Sequence, residues 1–226
     1  MRVSIILSTL LLSQASIAFG TYTVAILNNG KLLCNGAIIH NACILTSASC
    51  TARAKQSQLI VRAGAESYNK GDGVKAEVSE IITHKKYIEP SHEYDIAILK
   101  LKGCLAISTS NIDVIPISDK RRSDEKCLLT GWVYNESVPV HGSLQLKSVN
   151  VYRGSECEVN ITKRMFCTTG IAKFEKCIDF AAGSPLVVQG KLVGIKCFGF
   201  QCNQNRPDVF TNVAGKFIQK VIERVS

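Results

Sequence analysis

Tryptophan occurs once in 226 residues, methionine twice, proline five times and histidine four times, at His40, His84, His92 and His141. With so few prolines and no block of like charges longer than three residues, nothing reads as a linker or a charged tail. No Cys-x-x-Cys pair is present and histidine is scarce, which argues against zinc; no metal and no cofactor are expected. Beyond the first twenty residues no apolar run is long enough to span a bilayer. What is present is ordinary for a folded chain, with 46% hydrophobic and 20% charged residues. That balance excludes disorder, collagen-like repeats and coiled coil. An excess of 27 Lys+Arg over 18 Asp+Glu gives a net charge of +9 and a basic surface.

Residues 1–20 read as a secretory leader: Arg2 makes a short positive start, Val3 to Leu12 are mostly apolar, and small residues around Ala18 and Gly20 offer a cleavage site. Its removal takes away only Arg2 among the charges and leaves +8. In an oxidising compartment the even count of ten cysteines implies disulfides. A secreted, soluble chain is expected, with no nucleic-acid partner.

Short β-rich runs at 21–27, 37–40, 44–47, 59–63, 76–83 and 96–101 are separated by Gly, Asn or Lys turns. The pattern resumes at 126–132, 143–152, 165–168, 186–189, 191–197 and 208–211. Many short strands with no long helical period between them predict closed or sandwiched antiparallel sheets. One helix is legible at the C-terminus, where Phe217, Ile218, Val221, Ile222 and Val225 share a face and Lys216, Lys220 and Arg224 line another.

Several segments, in order, resemble the trypsin-like serine proteases. CNGAII from Cys34 and ILTSASC ending at Cys50 are similar to that family's first disulfide loop. DIAILKL from Asp95, CLLTGW from Cys127, MFC from Met165, GSPL from Gly183, LVGI from Leu192 and DVFT from Asp208 match further family segments. The resemblance runs from about Thr21 to Ser226. It implies an all-β fold of two antiparallel six-stranded barrels with a cleft between them and a C-terminal helix. The first barrel would take about 21–112, the second about 113–213 and the helix about 214–225.

The family's chemistry needs a nucleophilic serine, a histidine that takes its proton and an aspartate that orients the histidine. The resemblance puts these roles at Ala182, Ser49 and Asp95. A hydroxyl at 49 has no basic pKa near neutrality and a methyl at 182 has no nucleophile. Asp95 is therefore expected to orient nothing and, if buried, to be an orphan. Ala181 replaces the carboxylate that would clamp a new amino terminus, and no activation motif precedes Thr21. One extra residue between Cys177 and Pro185 is expected to distort the turn that forms the oxyanion hole. A relocated pair using Ser184 and His92 is weighed and set aside, because slipping along a strand displaces a side chain by several ångströms.

The specificity pocket falls by resemblance at Glu175, Lys176, Gly199 and Asp208, with Asp208 at a glycine position where it could pair with Lys176. A filled pocket is favoured over one open to basic side chains. The resemblance also pairs Cys34–Cys50, Cys43–Cys104, Cys157–Cys167 and Cys177–Cys202, leaving Cys127 and Cys197 as two buried thiols or an unusual bridge. Asn135 and Asn160 head glycosylation triplets. Lys85 and Lys86 with Lys216, Lys220 and Arg224 make a basic patch, either plain solvated surface or a site for sulfated glycans or acidic proteins.

The resulting expectation is a secreted, monomeric, catalytically inactive serine protease homologue of the insect type, acting by binding proteins or regulating a protease cascade in immune or reproductive fluids. An active endopeptidase with a relocated site and a polyanion-binding protein are the alternatives.

Overall fold

The computed structural model describes residues 20–107, 109–119, 126–133, 143–152, 157, 159–168, 179–199 and 207–225. Strand side chains alternate between two faces, yet in β1 (Thr23–Asn28) the first five residues are all buried. The strand is covered on both sides. Val24 and Ile26 pack with Ile38, Ile44, Val61 and Leu99, whereas Ala25 and Leu27 turn the other way onto Ala65 and Trp132.

The interior side belongs to a closed barrel in which β1 is followed by β2 (Lys31–His40), β3 (Cys43–Thr46), β6 (Ala97–Leu101), β5 (Val74–Thr83) and β4 (Leu59–Ala63). A second closed barrel repeats this connectivity in β7 (Lys126–Gly131), β8 (Gln145–Tyr152), β9 (Met165–Thr168), β12 (Val209–Asn212), β11 (Lys191–Phe198) and β10 (Pro185–Val188). All neighbouring strands are antiparallel. Closure leaves neither sheet an unpaired edge. The expected fold class, two six-stranded antiparallel barrels and a C-terminal helix, is the one observed.

Between the barrels lies a shared apolar layer that includes Leu45, Ile98, Val187, Leu192 and Ile195. The C-terminal helix α2 (Lys216–Ile222) seals it with Ile218 and Val221, and Phe217, Ile222 and Val225 pack beside them. Lys216, Lys220 and Arg224 stay exposed on the other face. Among the described residues no helix is long and apolar enough to cross a membrane.

Disulfides join Cys34 to Cys50 and Cys157 to Cys167. The expected Cys43–Cys104 bridge is absent, and both residues carry thiols. Cys43 is buried in the layer between the barrels, while Cys104 is exposed beyond β6. Burial pushes the Cys43 thiol up from its ordinary pKa. Cys197 is likewise a buried thiol not joined to Cys127, which is buried in β7. Cys177, Cys202, Glu175, Lys176 and Asn135 lie outside the described residues. Asn160 is exposed.

Candidate active site

Asp95 is fully buried just ahead of β6. Across from it β3 runs through Ser47 into α1 (Ala48–Thr51), which the Cys34–Cys50 bridge ties back to β2. Three donors on this corner close on the carboxylate. Oδ1 accepts the Ser47 hydroxyl at 2.9 Å and the Ser49 backbone N–H at 2.6 Å, and Oδ2 accepts the Ser49 hydroxyl at 2.8 Å. The two serine oxygens are themselves 2.6 Å apart.

A fourth group comes from Asp95's own segment. The 3-10 turn Glu89–Ser91 ends on His92 in the left-handed conformation, φ 52°, and Tyr94 is left-handed again at φ 54°. Two such residues, unusual for side chains larger than glycine, fold the loop back so that His92 Nδ1 lies 3.3 Å from Asp95 Oδ2. The imidazole packs against Phe198 with centroids 4.9 Å apart and keeps about 30% of its side chain exposed. Asp95 is thus no orphan, and it does have an imidazole to orient. Its charge extends further: burial, then Asp95 and Glu89, push the Tyr87 hydroxyl up to about 12. The Cys197 thiol meets Thr211 Oγ1 at 2.7 Å, and burial followed by the Asp95 charge holds it well above the ordinary range. Such a thiol is unreactive.

Ala182 sits in the turn entering β10, at the junction with the first barrel. Its carbonyl accepts the Asn35 N–H at 2.8 Å, and the Gly183 N–H donates to Lys196 O at 2.8 Å. Ser184, weighed as a displaced nucleophile, is fully buried, donates to Ala181 O at 2.7 Å and accepts from Asn35 Nδ2 at 2.7 Å. It is a structural hydroxyl. Of the candidate serines, Ser49 is the one in contact with the Asp95 cluster and partly open to solvent.

Asp208 pairs with Lys196, 2.8 Å from its Nζ, where the sequence suggested Lys176. Burial still pushes the Asp208 carboxyl up, although the lysine opposes it. Gly199 makes room for this pair, since a Cβ there would lie 1.9 Å from Asp208 Oδ1. Nothing in the strand pattern marked Lys196, which alternation alone reads as one more β11 side chain.

Two barrels of like connectivity, with a buried aspartate and an imidazole where they meet, define a chymotrypsin-type serine protease scaffold. The chain belongs to the trypsin family, whose model matches residues 13–221. It is 28% identical over 204 residues to hypodermin-A of Hypoderma lineatum, covering 85% of this chain and 78% of that one. It is 28% identical over 212 residues to trypsin delta of Drosophila melanogaster (89% and 83% covered) and 30% identical over 201 residues to trypsin Blo t 3 of Blomia tropicalis (82% and 74%). Neuropsin, a serine protease of mouse brain, shares the fold with a TM-score of 0.77 at 22% identity, covering 92% of this chain and 96% of that one. These relatives correct the expectation of a chain that is not an enzyme, because they carry the names of trypsins and serine proteases and none points to an inactive protein. That expectation set His92 aside on strand geometry, whereas the loop carrying it folds back and brings its Nδ1 to 3.3 Å from Asp95 Oδ2.

Proposed function

We propose that this chain is a secreted, monomeric glycoprotein that engages peptide segments of other secreted proteins in the groove between its barrels, with His92 as the groove's acid–base group. Its setting would be a protease cascade of immune or reproductive fluids. The observation that carries this is the His92–Asp95 contact of 3.3 Å. A carboxylate on Nδ1 holds the proton there and leaves Nε2 as the basic nitrogen, the tautomer a general base needs. Ser49, on the same carboxylate oxygen, is the hydroxyl placed to serve with it. The disulfides fit an oxidising, extracellular compartment.

General-base assistance alone contributes about 10²–10⁴ in rate, so slow turnover of activated peptide esters is expected. That turnover should disappear in His92→Ala, while Ser184→Ala, if folded, retains it. Wild-type protein with no turnover above buffer, or turnover indifferent to His92→Ala, would rule the acid–base role out.

A second reading has its own support. Lys86 Nζ and Arg164 Cζ lie 5.7 and 5.5 Å from the Tyr94 ring centroid, and His84 stacks on Tyr94 at 4.6 Å and meets Phe217 of α2 at 4.6 Å. These contacts join the Lys85–Lys86 loop to the basic helix as one face suited to a sulfated glycan. Heparin retention that falls with salt and is lost in the triple reversal Lys216→Glu, Lys220→Glu, Arg224→Glu is expected; retention unchanged at low salt would make this face plain solvated surface.

A further inference from the structure

His84, Tyr94 and Ile96 of the first barrel meet Arg164, Val213 and Phe217 around a cavity of about 100 Å³ at the seam between the barrels. Backbone bonds fix its walls. The His84 N–H donates to Ile96 O at 3.0 Å, and the Asn212 N–H donates to Arg164 O at 2.8 Å. The Lys86 N–H reaches His84 Nδ1 at 3.2 Å, and the imidazole packs on the Tyr94 and Phe217 rings, 4.6 Å from each centroid. The lining is therefore mostly apolar. A dry cavity of about 150 Å³ holds benzene, so this smaller one suits a single branched aliphatic group.

The rim carries positive charge that nothing balances. Arg164 lines the cavity with Cζ 5.5 Å from the Tyr94 centroid, Lys86 Nζ lies 5.7 Å from the same ring, and the exposed Lys216 borders the opening. Among the described residues no carboxylate forms an ion pair with any of these cations. No lining residue is acidic. His84 registers the field, since burial, then Lys86 and Arg164, push its imidazole down from the ordinary pKa. The neutral ring adds an apolar wall beneath the cations. A sulfated sugar would satisfy the charges and leave the apolar floor empty; a leucine flanked by carboxylates satisfies both.

We propose that this cavity docks an acidic segment of a partner protein, with one leucine side chain entering it and neighbouring carboxylates pairing with Arg164, Lys216 and Lys86. Docking there needs neither turnover at His92 nor heparin retention, so it stands or falls apart from both.

Titration calorimetry at low salt with the peptide acetyl-Glu-Glu-Leu-Glu-Glu-amide tests it. The full-length wild type should bind this peptide at least about tenfold more tightly than the same peptide with alanine in place of leucine, the least that burial of a leucine side chain supplies. Isovalerate should compete with the leucine peptide and acetate at the same ionic strength should not. Arg164→Glu should weaken the leucine peptide at least about tenfold, and where that variant does not fold, the exposed Lys216→Glu should show the loss. Equal binding of the two peptides is what a plain polyanion surface gives, and it overturns the proposal. So does an affinity unchanged in the folded charge variants, or no binding of the leucine peptide at millimolar concentration.

Discussion

A carboxylate with no solvent contact stays charged only if the donors around it replace water. Around Asp95 those donors are two hydroxyls, one amide and one imidazole, and the Ser47 hydroxyl is the one whose removal changes least else. A hydrogen bond to a charged group is worth about 1.5–3 kcal/mol. Ser47→Ala should therefore lower the unfolding free energy by about that amount in urea titrations, with the folded spectrum intact. A loss below about 0.5 kcal/mol would mean that Ser49 and His92 suffice to solvate the carboxylate. His92 also marks a limit of reading by spacing. Three positions before Asp95 on a strand, its side chain would lie well away from the carboxylate, and on that assumption it was set aside. The left-handed backbone at His92 and Tyr94 makes the segment a loop that doubles back, and neither residue type announces that conformation.

At the scale of elements, the chemistry of the turn into β10 rests on glycine. Gly183 has φ +82°, and a Cβ on it would lie 2.0 Å from Asn35 O and 2.4 Å from Thr46 Oγ1 in the facing barrel. Gly190, in the β10–β11 turn, has φ +73° but nothing within 4 Å of such a Cβ. Both substitutions incur the left-handed penalty of about 1–2 kcal/mol, and only Gly183→Ala adds a collision with backbone. Gly190→Ala should cost about that penalty, and Gly183→Ala about 3 kcal/mol or more, compared as urea midpoints at constant slope. Equal midpoints would show that the barrels can part slightly without cost. The strands themselves were largely legible because β-branched and aliphatic runs bounded by Gly and Asn turns persist whichever face is buried. The start of β2 was not. Asn35-Gly36 looks like a turn, yet Asn35 is a buried staple that reaches Trp132 O and Ser184 Oγ of the second barrel at 2.8 and 2.7 Å. Lys196 escaped for the same reason, since its partners lie 17 and 12 residues away in sequence and only barrel closure gathers them.

At the scale of the molecule, three buried acids and the half-buried Tyr87 among the described residues shape the response to alkali. Burial raises Cys43 and Cys197 above 9.0, and Tyr22 and Tyr87 above 10.0, Tyr87 reaching about 12. Each therefore keeps its proton in the folded chain at a pH where the unfolded chain has released it. Stability from a raised pKa is fully present below the unfolded value and is lost as pH climbs toward the folded one, at up to about 1.4 kcal/mol per pH unit for each group. All four act in the same direction. The unfolding free energy should hold steady near pH 8 and decline from about pH 9, first through the thiols and then, above about pH 10, through the tyrosines as well. Urea titrations at half-unit steps check this, with the exposed Cys104 alkylated beforehand so that its thiolate cannot attack the Cys34–Cys50 or Cys157–Cys167 bridge. Cys197→Ser removes one of the four, and its profile between pH 9 and 10 should be flatter by up to one proton. A wild-type curve level through pH 10.5, or a Cys197→Ser curve of unchanged slope, would show that these thiols ionise in the folded chain as readily as in water.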